Sequence, residues 1–201
     1  MIQEIFDVFD NLYPFTGKCF LNFSTPWQLL FATILSAQCT DDCVNAVTPK
    51  LFAQFPTLAD FAAADIRQIE KAVYKTGFYR NKARHLQNSA QVLLANFGGE
   101  VPSDISALTS LPGVGRKTAN VVRGHIFQIP SIVVDTHVMR VSKRLGLTRQ
   151  SCPVKIEHEL MDVLPKERWI AYNQQAISHG RAICTARKPN CENCPLAQLC
   201  N

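Results

Sequence analysis

The sequence predicts an all-α fold. Apolar residues recur at helical spacing in segment after segment, helix start and stop signals flank those segments, and only one short run reads as extended. Two helical lobes are expected: a body over residues 19–129, including two helices joined by a glycine hairpin at 104–127, and a second lobe over 130–201 that carries a cysteine-rich end. The helix over 1–18 is expected to join the second lobe, although its pattern does not say where it packs. Of the 201 residues, 47% are hydrophobic, enough to fill a core without a partner.

Taken in order, Ile2, Ile5, Phe6 and Phe9 share one helix face, and so do Trp27, Leu30, Phe31, Ile34 and Leu35. Before the second set, Thr25-Pro26-Trp27-Gln28 combines a capping-box spacing with proline at the first helical position. Val44, Val47, Leu51, Phe52 and Phe55 mark a third helix, near whose start Cys39 and Cys43 read as small buried residues. Asp65 and Gln68 repeat the cap spacing. Leu86, Ala90, Leu93, Leu94 and Phe97 mark a long helix stopped by Gly98-Gly99. A short helical stretch at 104–110 and an apolar helix at 118–127 flank the hairpin. The run 129–134 reads as extended, yet one isolated run cannot build a sheet. A further helix is expected over 136–145, with Asp135 as its N-cap.

The first ten residues hold Glu4 and Asp7 and no basic n-region, and nowhere do about 18 apolar residues run together. The expectation is therefore no membrane segment and a soluble, cytoplasmic protein, in which eight cysteines serve as thiols or metal ligands rather than disulfides. The formal charge of +5 is mildly basic. It fits contact with nucleic acid through one local patch, although many metabolic enzymes are equally basic.

Cys184, Cys191, Cys194 and Cys200 are spaced C-x6-C-x2-C-x5-C, whereas Cys19, Cys39, Cys43 and Cys152 are scattered. Zinc sites more often pair two C-x2-C knuckles, so a single knuckle flanked by longer loops points to iron-sulfur ligation by four thiolates. Such a cluster would lower the net charge to about +3. It would also hold Arg187 and Lys188 on a rigid surface hairpin able to grip phosphate. A structural staple for a lobe with too little core is at least as good a reading as a redox role, and both require the cluster for folding.

In Leu111-Pro112-Gly113-Val114-Gly115-Arg116-Lys117, glycines let the backbone approach a ligand, and the N–H groups opening the next helix can meet an anion such as a DNA phosphate. A Walker loop is excluded by spacing. The surrounding LPGVGRKTANVV (111–122), VDTHVMR (134–140), LSAQCTD (35–41) and the terminal cysteine pattern together closely resemble the endonuclease III family over nearly the whole chain, in order and spacing.

That resemblance implies a helix-hairpin-helix DNA glycosylase and AP lyase with a C-terminal 4Fe-4S cluster on Cys184, Cys191, Cys194 and Cys200. It implies that Lys117 attacks the sugar C1′ carbon and that Asp135 assists the amine and offsets charge growing on the sugar. The hairpin residues Gly113, Val114, Gly115 and Arg116, with Arg187 and Lys188, would bind DNA. Gln38 would fill the gap left by an extruded nucleotide, with Phe78 at the wedge position where relatives often carry leucine; for Phe78 a core aromatic is an equal reading. His137 is read as an orienting or packing group. The implied partner is double-stranded DNA with an oxidised or ring-saturated pyrimidine or an abasic site. The protein is expected to be a monomer of bacterial type, at the nucleoid when acting.

Rival readings follow from the same residues. An adenine glycosylase lacks the hairpin lysine and usually carries an extra C-terminal domain. A mismatch thymine glycosylase remains open. A silent DNA-binding module leaves Lys117 and Asp135 without purpose, and a small electron carrier does not need the helical body.

Overall fold

A computed structural model describes residues 1–200. It is all-α: α1 (Ile2–Leu12), α2 (Pro26–Leu35), α3 (Asp41–Gln54), α4 (Leu58–Ala63), α5 (Ile66–Val73), α6 (Tyr79–Phe97), α7 (Ile105–Thr109), α8 (Arg116–Phe127), α9 (Thr136–Arg144), α10 (Pro153–Val163) and α11 (Trp169–Ala182), with short 3-10 turns such as Tyr74–Thr76. There is no strand among the described residues. The chain divides into two compact units, Lys18–Gln128 and Met1–Gly17 with Ile129–Asn201.

In the unit Lys18–Gln128, α2 is apolar all round and buries Leu29 through Leu35 in unbroken succession, which makes it the central helix. Aromatic edges close the core around it. Trp27 meets Phe31, Phe52 and Phe61 at ring separations of 5.5, 5.3 and 5.8 Å, and Phe31 meets Phe61 edge-on at 5.0 Å. The long α6 turns Ala83, Leu86, Ala90 and Leu93 inward. Leu94, expected on that face, is exposed, because one residue step rotates it about 100° away. Gly98 ends α6 in the left-handed conformation, and the N–H of Gly99 closes on the carbonyl of Leu93 at 2.9 Å.

Helix capping differs from the expected pattern in detail. The side chain of Thr25 makes no cap bond; Gln28 instead accepts from the N–H of Ser24 at 2.8 Å. The reciprocal capping box lies at Thr57 and Asp60, each side chain accepting from the other's N–H. Asp65 caps α5 through the N–H of Arg67. Cys39 lies in the turn before α3 rather than on it, and both Cys39 and Cys43 are only half-buried, with the Cys43 thiol donating to the carbonyl of Lys75.

The second unit joins the N-terminal helix to the C-terminal ones. Ile5, Phe6 and Phe9 of α1 pack with Val138 and Val141 of α9 and with Tyr172 and Ala176 of α11. Asp10 accepts from Arg168 and Gln175, each at 2.7 Å, and the Arg168 guanidinium holds the Asp10 carboxyl below its ordinary value. The extended run after residue 129 finds a substitute for a sheet partner in Asn173. That amide accepts from the N–H of Val133 at 2.9 Å and donates to the carbonyl of Ser131 at 2.8 Å.

Candidate functional site

The glycine hairpin is built from local geometry. Asp104 caps α7 by accepting from the N–H of Ala107 at 2.9 Å; after α7 the N–H groups of Leu111 and Val114 close two successive turns onto Leu108 and Leu111, each at 3.1 Å. Gly113 takes φ +78°, and a Cβ there would stand 2.7 Å from the His85 ring. Ser89 donates to the carbonyl of Pro112 at 2.8 Å, so both His85 and Ser89 of α6 support the turn from below.

Helix α8 starts at Arg116, two residues earlier than the apolar pattern shows, which puts Lys117 in its first turn. Its N-cap is Gly115, no side chain caps the helix, and the space over the Gly115 Cα is open. Arg116 and Lys117 are exposed. The arrangement leaves a helix N-terminus and two cations facing outward behind a tight turn, which is suited to an anionic backbone. The Val114 side chain is buried in the core and its N–H is committed to Leu111, so it anchors the hairpin.

Gly113→Ala is expected to destabilise the protein by at least about 1–2 kcal/mol, because it combines a left-handed backbone with a clash. Denaturant unfolding checks this. Gly115→Ala, with φ −92° and open space, is expected to fold normally and to weaken DNA binding only through the approach of the backbone.

Gln38 and Phe78 are both exposed, and both adopt left-handed backbone angles, φ 53° and φ 47°. Phe78 shows 65% of its surface, which rules out the core reading. An exposed phenylalanine held in a strained conformation at the N-terminus of α6 is a feature that packing does not explain. Beside it, the tilted rings of Tyr74 and Tyr79 meet at 4.9 Å, with Arg80 over the Tyr79 ring.

In the other unit Asp135 ends the Asn173-fastened segment and caps α9. Its Oδ1 accepts from the N–H groups of His137 and Val138 at 2.9 and 2.8 Å, and the side chain is half-buried. His137 faces Arg140 through Nδ1 at 3.1 Å.

Cys184, Cys191, Cys194 and Cys200 line one cavity of about 250 Å³, walled by Val141, Leu145 and Ile183. Among the described residues, no three His, Cys, Asp or Glu side chains converge closely enough to hold a single metal ion. Four thiol donors lining one largely apolar cavity fit the four-thiolate ligand set of an iron-sulfur cluster. Burial, and then the charges of neighbouring cysteines, push the Cys194 and Cys200 thiols up.

Two arginines that the sequence reading passed over hold this loop. Arg140 donates to the carbonyls of Cys184 and Gly180 at 2.8 and 2.7 Å. Arg144 donates to the Cys184 sulfur at 3.2 Å and to the carbonyls of Thr185 and Ala186. Their i, i+4 spacing on α9 is the signal that could have found them. Arg187 and Lys188 stand exposed on the loop so fixed.

Residues 31–166 match the family described as HhH-GPD superfamily base excision DNA repair protein, and residues 184–200 match the iron-sulfur binding domain of endonuclease III. Endonuclease III of Synechocystis sp. is 49% identical over 198 residues, covering 98% of this chain and 90% of that protein. The solved structure of a trapped endonuclease III–DNA covalent intermediate, an estranged-adenine complex, superposes with TM-score 0.94 at 44% identity and covers 100% of this chain and 94% of that one. A thermostable thymine-DNA glycosylase, at 24% identity and TM-score 0.85 over 100% of this chain and 93% of its own, shares the fold.

Proposed function

The chain belongs to the endonuclease III family, and from that premise we propose that Lys117 is the nucleophile and Asp135 the assisting carboxylate of its reaction on damaged DNA. The protein is a bifunctional DNA glycosylase and AP lyase of base excision repair, its partner is DNA, and its cofactor is a 4Fe-4S cluster. The observation that carries the residue assignment is an exposed lysine in the uncapped first turn of α8, directly behind the glycine hairpin.

The neutral amine of Lys117 attacks C1′, the C1′–N bond to the base breaks, and the sugar opens to an iminium. The iminium acidifies a C2′ proton; its loss expels the 3′ phosphate by β-elimination, so both activities share one intermediate. Asp135 uses Oδ1 for the cap, which leaves Oδ2 to take the amine proton and to face the cationic sugar. Gln38 and Phe78 occupy the space of the extruded nucleotide. Gly113, Gly115 and Arg116 hold phosphate at the hairpin, and Arg187 and Lys188 hold it at the cysteine loop. Cys184, Cys191, Cys194 and Cys200 hold the cluster, which when bound cross-links the end of the chain. The substrate is a duplex with an oxidised or ring-saturated pyrimidine, and the protein acts as a monomer at the nucleoid.

Borohydride reduction on a duplex bearing one thymine glycol tests this reading. A covalent adduct that peptide mapping assigns to Lys117 is expected. An adduct on another lysine overturns the nucleophile, and faster excision from a thymine·guanine mismatch overturns the lesion class.

Asp135→Asn separates the carboxylate from the cap. Asparagine caps as well as aspartate, so the melting temperature is expected to hold while single-turnover excision falls by about 10²–10⁴-fold. A fall in stability of the same order as the fall in rate would reduce Asp135 to a cap.

A further inference from the structure

Lys82 sits in the first turn of α6 and is turned inward, only 4% exposed. Its ammonium donates to the carbonyl of Leu35 at 2.8 Å and to that of Thr76 at 2.7 Å. Leu35 is the last residue of α2 and Thr76 the last of the Tyr74–Thr76 turn. Gln38 lies three residues beyond the first carbonyl and Phe78 two beyond the second. One buried cation therefore ties together the stems of the two exposed loops whose tips adopt left-handed backbone angles.

As a contribution to stability this is a poor use of a lysine. An ammonium withdrawn from water is costly unless an anion meets it, and here both partners are neutral carbonyls. A methionine would fill the space without that cost, though it would leave the two carbonyls unpaired. An apolar side chain, however, cannot bind two carbonyls at once and so cannot fix the distance between the segments that end in them. Non-glycine residues with positive φ persist only where the surroundings hold them, and Lys82 is the common anchor behind both.

We propose that Lys82 is a positioning residue for base extrusion, fixing the separation of the Gln38 and Phe78 loops so that both enter the duplex around the vacated position. The proposal rests on the reading that Gln38 and Phe78 fill that gap. It extends the reading by naming what sets their spacing. Lys82 itself does not touch DNA.

The test is a cycle of variants read by single-turnover kinetics. Lys82→Met is expected to slow excision from a lesion duplex by up to about 100-fold, the scale of a small misplacement of working groups. On a single-stranded oligonucleotide with an abasic site no partner strand has to be opened, so β-elimination is expected to stay within about twofold of the parent. Adding Lys82→Met to Gln38→Ala/Phe78→Ala is expected to cause no further loss, because the groups it positions are gone. An equal loss on single and double strands, a loss that adds fully to the Gln38→Ala/Phe78→Ala background, or no loss at all overturns the proposal. If Gln38→Ala/Phe78→Ala alone leaves duplex excision at the parent rate, the gap-filling reading beneath it fails instead. Should Lys82→Met fail to fold by circular dichroism, Lys82→Gln, which keeps a polar donor but on an arm one bond shorter and so changes the separation it sets, replaces it in the same cycle with the same outcomes.

Discussion

Lys117→Gln is expected to abolish the borohydride-trapped adduct and to lower excision and strand nicking together by on the order of 10⁴-fold or more, since a reaction that runs through a covalent intermediate loses its first step. The folded protein should not register the change. Lys117 is exposed in the first turn of α8, and substitutions at such positions cost within about 0.5 kcal/mol. DNA binding should survive too, weakened by one phosphate contact at most and with a salt slope lower by about one. The joint loss is the informative part. Excision that persists while nicking disappears would mean that water, not an amine, displaces the base. An adduct formed at parental yield would assign the nucleophile to another lysine.

Where the chemistry is local, the sequence already displays it. The hairpin was readable because the left-handed turn at Gly113 is written in a glycine of the local sequence, and Asp135 because capping is decided within three residues. Helical periodicity identified Ile5, Phe6 and Phe9 as a buried face, but not its partners on α9 and α11, which are more than a hundred residues away in sequence. The misses share this cause. Gln28 had two backbone N–H groups within reach, and spacing does not choose between Thr25 and Ser24. Lys82, in a sequence that reads Arg-Asn-Lys, gives no sign that it points inward, because its two acceptors are carbonyls contributed by other segments. Arg140 and Arg144 likewise become meaningful only when the cysteine loop folds back on α9.

The cysteine loop itself has almost no regular structure, so the largest expected effect on stability lies there. Between residues 184 and 200 only two short 3-10 turns form, Cys191–Asn193 and Ala197–Leu199. The apolar groups it adds to the core of its unit centre on Leu196 and the buried Cys184. A segment of this kind cannot offset its own conformational entropy by burial. Binding energy at the four thiolates therefore becomes folding energy, of order 10 kcal/mol for structural metal sites. Cys194→Ser is expected to yield protein without iron or labile sulfide, with a melting midpoint lower by about 20 °C or more. The damage should be local. Limited proteolysis is expected to cut first within 184–200 and to spare Lys18–Gln128, whose core of α2, α3 and α6 owes nothing to the cysteines. Arg187 and Lys188 lose their fixed positions in the same variant, so affinity for undamaged duplex should fall even at temperatures where the rest of the chain is folded. If Cys194→Ser keeps its iron and its melting point, the four-thiolate assignment is wrong; if it loses iron but melts unchanged, the arginine contacts from α9 alone hold the loop, and the cluster is not a structural staple.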